Sequence, residues 1–368
     1  MKNQWELKWN EDIDYLRDNL IERHKNLFFN VSREEFENNI KELKLKINTL
    51  DYDEMKVELS KVVSSVRDAH TAIAFPINKY LPLKFYYFSD GIYIIGVTKG
   101  YEDLLYKKVN KIEDTNINHV LQELSKMISY ENQYFLKAQS VKYLQAAEVL
   151  YGLLTCDDMD KIKITVEDKE VEVLTVTSSD LEYIENNNIP IYARRPNENY
   201  WWKFLEDDGI MYIKYNSCRE QGDISIKEKI DETIKFIEHK NITKATIDLR
   251  NNLGGDSDLI NPLIEFIKSS KVINIKENLT VIIGRETFSS ALLNAYRFKW
   301  ETNGFIVGEP SGGKPNCYGE ILRFTLPNSK FMVSYSTRFY KLIEDDNVMA
   351  LYPDKIIEER IDDYTLMN

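Results

Sequence analysis

Between about residues 208 and 308, short apolar stretches with strand character alternate with amphipathic helical patterns. The strand stretches are GIMYIKYNS, ATIDLR, LTVIIG and GFIVGE, and helical stretches such as SIKEKIDETIKFIEHK and SALLNAYRF separate them. Parallel neighbours in a sheet need long, right-handed crossovers, so this order predicts a largely parallel sheet covered by helices. The fold class is therefore predicted to be α/β.

The sequence before this region predicts two further modules. Three amphipathic helical patterns before residue 75 predict a helical bundle, in which Ile13, Leu16 and Leu20 share one apolar face. From about residue 80, alternating strand patterns around helical ones predict a small α+β module. The asparagine-rich stretch NNNIPIYARRPNENYWW is the best candidate boundary, and we expect domains at 1–78, 79–180 and 200–368.

Composition excludes several function classes. The 368 residues carry a formal net charge of -12, which argues against nucleic acid or an anionic membrane surface as the main partner. No run reaches the ~18 apolar residues of a membrane span, and no signal peptide is evident, so a cytoplasmic protein is expected. The three cysteines are widely spaced and no HExxH pattern occurs, so we expect no metal site.

Two adjacent serines, Ser289 and Ser290, stand where the stretch VIIG gives way to a helical pattern. A helix that begins after a buried strand presents free N–H groups and the positive end of its dipole, which stabilise an oxyanion. A serine at this place can act as a nucleophile, although a helix N-cap is the ordinary role of such a pair. Position alone leaves both roles open.

The stretch IDLRNNLGGDSD runs from a buried strand into Gly254 and Gly255. Glycines let the backbone approach another group closely and direct its N–H groups at an anion, which suits an oxyanion hole. The GxxxxGK[ST] and GxGxxG spacings are absent, so we expect no nucleotide cofactor. A tight turn that needs glycine is the structural alternative.

Two side chains are candidate proton acceptors. Lys314 lies in the loop GEPSGGKPNCYGE, and a lysine acts as a base only when burial or a cationic neighbour keeps it neutral. His70 closes a helical pattern in RDAHT, and an imidazole titrates near neutral pH without special burial. His24 and His239 lie within helical patterns and are predicted to be structural.

Taken in order, IDLRNNLGGD, TFSSALLNA and VGEPSGGK resemble the C-terminal-processing (tail-specific) serine peptidases and their tricorn-type relatives, over about residues 205–358. The resemblance implies an α/β fold with a crotonase/Clp-protease-like ββα catalytic core. It also implies hydrolysis of peptides or protein C-terminal regions without a cofactor or metal. The expected partner is a peptide or protein substrate, and a homo-oligomer is left open.

The resemblance assigns roles to individual residues. It implies that Ser289 is the nucleophile and that the N–H of Ser290 forms the oxyanion hole with that of Gly254 or Gly255. Tyr318 stands where the serine-lysine members have a glutamine, and it is predicted to bind substrate.

Members of this family use one of two residue types as the general base. Processing peptidases use a serine-lysine dyad, and Lys314 follows Ser289 by 25 residues (314 − 289), the spacing of such dyads. Tricorn-type relatives use an upstream histidine, and DAHT is similar to their DxHT stretch, which would make His70 the base. The late acidic residue that would orient it is one of Glu344, Asp345 and Asp346. His70 and Lys314 remain equal candidates, and one of them is a candidate ligand for a substrate carboxylate.

The middle module is similar in strand order to a PDZ domain, interrupted by a helical insertion at about residues 128–158. A degenerate PDZ-like module is therefore expected. Two other functions stay open on related folds: a non-catalytic ligand- or protein-binding member, as among the retinoid-binding relatives, and a crotonase-like acyl-CoA enzyme. The three ordered motifs favour the peptidase.

Overall fold

The computed structural model describes residues 4–186 and 189–366. Its α-helices are α1 Gln4–Arg23, α2 Arg33–Lys46, α3 Tyr52–Ser64, α4 Ile117–Ser125, α5 Gln133–Leu144, α6 Ala147–Gly152, α7 Ile226–Lys240, α8 Asn261–Ser269, α9 Ser290–Glu301 and α10 Ile361–Leu366. The strands are β1 Ala72–Ala74, β2 Leu83–Phe88, β3 Gly91–Val97, β4 Val109–Ile112, β5 Thr115–Asn116, β6 Lys161–Val166, β7 Lys169–Leu174, β8 Tyr200–Leu205, β9 Ile210–Tyr215, β10 Lys244–Asp248, β11 Leu279–Ile283, β12 Phe305–Gly308, β13 Asn316–Thr325, β14 Met332–Lys341 and β15 Lys355–Ile356.

The chain forms two compact units. The first unit consists of Met1–Glu131, Leu136–Asn186 and Cys317–Tyr340, and the second unit consists of Asn132–Phe135, Asn187–Asn316 and Lys341–Asn368. The three domains expected from the sequence are a different division and stay a prediction.

The second unit is built on a six-stranded sheet with the order β15-β12-β11-β10-β9-β8. Strands β9 to β12 and β15 are parallel, whereas β8 runs antiparallel to β9. Ile213, Ile247 and Val281 on the central strands are fully buried, as expected where helices cover both faces of a parallel sheet. The mixed α/β fold predicted from the alternating pattern is confirmed.

The parallel register explains how distant motifs meet in the second unit. Asp248, the last residue of β10, pairs with Ile282 near the end of β11. Parallel strands end at a common edge of the sheet, so the segments that follow them are neighbours. The glycine turn after β10 and the serine pair after β11 are such segments.

The first unit contains two apolar cores. One joins α1, α2 and α3 to the sheet β1-β14-β13, with Leu16, Phe36 and Phe331 fully buried. The other lies in the α+β module, where β2 and β3 form an antiparallel hairpin and a second sheet has the order β5-β4-β6-β7. No helix in the described part of either unit is both long and apolar enough to span a bilayer.

Candidate active site

Ser289 immediately precedes α9 and has an unusual backbone. Its φ is 54° and its ψ is -127°, a region that residues other than glycine rarely adopt, at a cost of about 1–3 kcal/mol. The residue is half-buried. Strain of this kind turns the side chain out at a sharp turn before a helix, which is the geometry of a nucleophile elbow.

The hydroxyls of the two serines have separate roles. Ser289 occupies the N-cap position of α9, but its side chain makes no capping hydrogen bond. Ser290 is buried, and its Oγ donates to the carbonyl oxygen of Gly255 at 2.5 Å. The Ser290 hydroxyl is therefore engaged in structure, and only the Ser289 hydroxyl is available for chemistry.

Gly254 lies directly against the serine pair. Its φ is +98°, and a Cβ added there would be 2.8 Å from the Cβ of Ser289 and 2.9 Å from the nitrogen of Ser290. Gly255 has a φ of +139°, and its Cβ would be 2.1 Å from the carbonyl oxygen of Cys218. Both glycines are required by close backbone contacts as well as by their dihedral angles.

Asn252, which the sequence analysis did not single out, holds this turn in place. Its side chain is fully buried; Nδ2 donates to the carbonyl oxygen of Tyr215 at 3.0 Å, and Oδ1 accepts the N–H of Gly254 at 2.9 Å. Its own carbonyl accepts the N–H of Phe288 at 3.0 Å. One residue thus connects β9, the glycine turn and the segment before Ser289.

These contacts decide which backbone N–H groups remain available. The N–H of Gly254 is engaged by Asn252, and the Gly255 carbonyl by Ser290. Among residues 4–186 and 189–366, none accepts a hydrogen bond from the N–H of Gly255 or of Ser290. Those two groups are the candidate oxyanion donors.

A buried ionic network lies beneath the glycine turn. Lys214 Nζ donates to Asp248 Oδ1 at 3.0 Å and to Asn251 Oδ1 at 2.9 Å, and Arg250 pairs with Asp248 and with Glu359 at 2.8 Å. Burial lowers the pKa of Lys214 to about 8. Burial alone would raise the pKa of Asp248, but the charges of Arg250 and Lys214 bring it down to about 2. These ion pairs therefore hold the end of β10, from which the glycine turn continues, in place.

Lys314 follows a loop that packs on the segment before Ser289. The N–H of Gly313 donates to the carbonyl oxygen of Thr287 at 3.2 Å, and a Cβ at Gly313 would be 3.5 Å from the Cα of Phe288. Lys314 itself is half-buried, and its ammonium group makes no hydrogen bond or ion pair within the described ranges. The serine and the predicted lysine thus belong to the same unit, on adjoining segments.

His70 belongs to the first unit, where it lies beside Asp68. The N–H of His70 donates to Asp68 Oδ1 at 3.0 Å, and the Nδ1 atom of its ring is 4.0 Å from the same oxygen. Burial lowers the pKa of His70 below its ordinary value of 6.5, against the opposing effects of Asp68 and of a hydrogen bond to the Tyr318 backbone. The imidazole is therefore neutral at pH 7 and able to accept a proton.

The remaining predicted residues are placed as follows. Tyr318 packs on Phe29 with ring centroids 4.5 Å apart, and its hydroxyl accepts from Asn26 at 3.0 Å, all within the first unit. The late acidic residues are exposed and belong to the second unit: Glu344, Asp345 and Asp346. Asp68, two residues before His70, is the carboxylate that the sequence analysis missed.

The described residues contain no group of three or more histidine, cysteine, aspartate or glutamate side chains that could hold a metal ion. Within that part of the chain, the chemistry of the candidate residues is that of hydroxyl, imidazole, ammonium and backbone N–H groups.

Comparison with known proteins gives a likeness of fold. No protein-family model matches this sequence, and no curated protein matches it. Mature CPAF complexed with lactacystin superposes with a TM-score of 0.70 at 11% identity, over 99% of this chain and 96% of that chain. Mature CPAF alone gives 0.68 at 12% identity, over 99% and 95%.

The photosystem II D1 C-terminal processing protease also matches, at 11% identity over 97% of this chain and 94% of that one, but its TM-score of 0.43 supports no inference. At these identities the likeness shows the fold alone, and the chain has the mixed α/β fold of mature CPAF.

Proposed function

We propose that this chain is a serine-type peptidase in which Ser289 attacks a peptide carbonyl and forms an acyl-enzyme. The observation that carries the proposal is the strained backbone of Ser289, which presents a hydroxyl that does not cap α9 at the start of that helix. Strain of this size persists where function requires it, and the helix start supplies N–H groups for a developing oxyanion.

The proposed steps balance as an acyl transfer. The Ser289 oxygen bonds to the carbonyl carbon while its proton passes to the base, and the carbonyl oxygen becomes the oxyanion. The base then protonates the leaving amine as the C–N bond breaks. Water then attacks the acyl-enzyme carbonyl while the base takes its proton. The bond to the Ser289 oxygen breaks as the base returns that proton to it, which releases the acid product and restores the hydroxyl and the base.

We assign the oxyanion hole to the N–H groups of Gly255 and Ser290. Gly254 has another role: it lets the turn approach Ser289 and Ser290 closely, since its own N–H is donated to Asn252. Removing one oxyanion donor typically lowers kcat by about 100- to 1000-fold.

The proton acceptor is assigned on chemical grounds. A base must be neutral before the reaction, and burial lowers the pKa of His70 while Asp68 lies beside it. Lys314 is half-buried, and its ammonium group makes no ion pair within the described ranges, which suits a ligand for a substrate carboxylate. These surroundings favour His70 as the base and leave Lys314 as a cation for a substrate carboxylate.

The resemblance of the three sequence motifs to C-terminal-processing peptidases supports a proposal for the substrate class and for the types of domain. We propose that the substrates are peptides or protein C-terminal regions, that the second unit contains a crotonase-like catalytic core, and that the α+β module is a degenerate PDZ-like domain. Expected domain boundaries remain 1–78, 79–180 and 200–368.

Labelling with a fluorophosphonate probe tests the nucleophile. Wild type should be labelled at Ser289 and Ser289→Ala should not, whereas Ser269→Ala, which alters an exposed serine of α8, should be labelled like wild type. Intact protein that is not labelled, or Ser289→Ala labelled as well as wild type, would exclude the peptidase. A non-catalytic binding protein would give that result.

A further inference from the structure

The ring of His24 is buried and held in one orientation. Its Nδ1 accepts the N–H of Asn26 at 3.0 Å, and its Nε2 lies 2.9 Å from Asp68 Oδ2. Because an accepting ring nitrogen carries no proton, the neutral ring is the Nε2–H tautomer and donates to the carboxylate. The ring of Phe29 stacks parallel to it, at an interplanar angle of 3° with centroids 6.3 Å apart.

The two oxygens of the buried Asp68 carboxylate have different partners. Oδ2 accepts from His24, from Thr71 Oγ1 at 2.6 Å and from Ser336 Oγ at 2.6 Å. Oδ1 accepts the backbone N–H of His70 and lies 4.0 Å from its ring nitrogen. Three donors on one oxygen prevent the carboxylate from rotating, so Oδ1 stays directed at residue 70.

The titratable groups of this cluster are His24, Asp68, His70 and Tyr318, whose ring centroid lies 5.6 Å from that of His24. Burial alone would raise the pKa of Asp68, but the hydrogen bond from His24 and the charge of His70 bring it below its usual range. The carboxylate is therefore ionised when His70 takes up a proton, and it stabilises the imidazolium.

We propose that His24 is a positioning residue, which fixes the Asp68 carboxylate so that it orients and stabilises His70. The role rests on the proposed function of His70 as the base. It replaces the purely structural role predicted for His24, and it assigns to Asp68 the orienting role that the sequence analysis sought among the late acidic residues.

Two substitutions separate positioning from packing. His24→Phe keeps a flat ring against Phe29 but removes both polar contacts, whereas His24→Gln retains an N–H donor near the position of Nε2. His239→Gln, at an exposed histidine in the last turn of α7, is the matched control.

Kinetics are measured per active site titrated with the fluorophosphonate. In His24→Phe, kcat should fall about 10- to 100-fold with KM changed less than about twofold, a typical loss for a residue that supports another. The acid limb of kcat/KM should move to lower pH, because the imidazolium loses part of its stabilisation. His24→Gln should recover most of kcat. Unchanged kcat and acid limb in His24→Phe, or equal losses in both variants with an unmoved limb, would overturn the proposal.

An NMR titration of the His70 Cε1–H separates this inference from the proposed function. His70 should titrate at lower pH in His24→Phe than in wild type, while the His239→Gln curve should match wild type. Identical curves in His24→Phe and wild type would overturn the inference. Absence of probe labelling in wild type would instead overturn the proposed peptidase function. The NMR titration would still test whether His24, through Asp68, affects His70.

Discussion

The N–H of Gly254 donates to Oδ1 of Asn252 at 2.9 Å, so that, of the two adjacent glycines, only Gly255 has an N–H with no acceptor among the described residues. The carbonyl of Gly254 is engaged as well, since it accepts the N–H of Cys218 at 3.2 Å. Both backbone polar groups of Gly254 are therefore hydrogen-bonded, and the N–H of Gly255 is the one that a ligand can use.

Replacing Asn252 by alanine should damage both stability and reactivity. The substitution leaves the Gly254 N–H and the Tyr215 carbonyl without a partner in a buried region, at about 1–3 kcal/mol for each group. The rate of probe labelling should fall as the turn loosens. Denaturant unfolding and labelling kinetics check this, with exposed Asn347→Ala as control. A variant as stable as wild type would refute the role of Asn252.

The strained backbone at residue 289 predicts that two inactive variants, Ser289→Gly and Ser289→Ala, differ in stability. Ser289→Gly should be more stable than Ser289→Ala by about 1 kcal/mol, because glycine adopts a φ of 54° without strain while alanine does not. Neither variant should be labelled. Thermal unfolding of the two variants measures the difference. A glycine variant less stable than the alanine variant by about 0.5–1 kcal/mol, the ordinary entropic cost of glycine, would show that residue 289 carries no strain.

The buried Lys214 predicts a rise in stability at alkaline pH. Its pKa is lowered from 10.5 to about 8 in the folded protein, so between these values the unfolded chain holds a proton that the folded chain has released. The contribution of Lys214 to the free energy of unfolding therefore increases with pH through this window. Burial raises the pKa of Cys156 and Cys218 from 9.0 to about 12 and about 11, so these thiols contribute the opposite change above pH 9. Denaturant unfolding at pH values from about 8 to about 9 should show the rise in wild type and in Lys203→Met, an exposed control on β8, but not in Lys214→Met. A rise that persists in Lys214→Met would contradict the assignment.

Proton acceptance by His70 predicts the acid limit of activity. Burial lowers the pKa of His70 below 6.5, so the neutral form persists at pH 7 and kcat/KM should fall only as the pH drops below 6.5. Lys314→Ala should keep this acid limb and raise KM for substrates with a free C-terminal carboxylate. A near-normal His70→Ala enzyme would exclude the histidine mechanism.

Much of the fold was readable from local patterns. The alternation of strands and helices predicts the parallel sheet, and its register brings the segments after Asp248 and Ile283 to one edge. Apolar periodicity predicts the buried faces of α1 and α2, including Leu16 and Phe36. These features depend on residues near one another in the chain or on general rules of sheet topology.

The finer geometry of the site depends on backbone angles and on contacts between distant residues, which periodicity does not encode. Helix α8 begins at Asn261, and the turn between the two glycines and this helix is set by hydrogen bonds that the N–H groups of Cys218 and Asp256 donate. The link between His24 and Asp68 joins residues 44 positions apart. The catalytic roles of Ser289, His70 and Lys314 stay predictions that the experiments above decide.

The ion pair between Arg250 and Glu359 has a consequence for how the protein matures during translation. Residue 359 leaves the ribosome 70 residues after Ser289 (359 − 289), and the loop that leads to Lys314 likewise depends on hydrogen bonds between Ser311 and Leu351. Arg250 and this loop therefore lack these late contacts while the earlier part of the chain is already folding. A nascent chain arrested before Leu351 emerges should therefore be labelled poorly by the probe, and labelling at Ser289 should appear only after synthesis has passed these contacts.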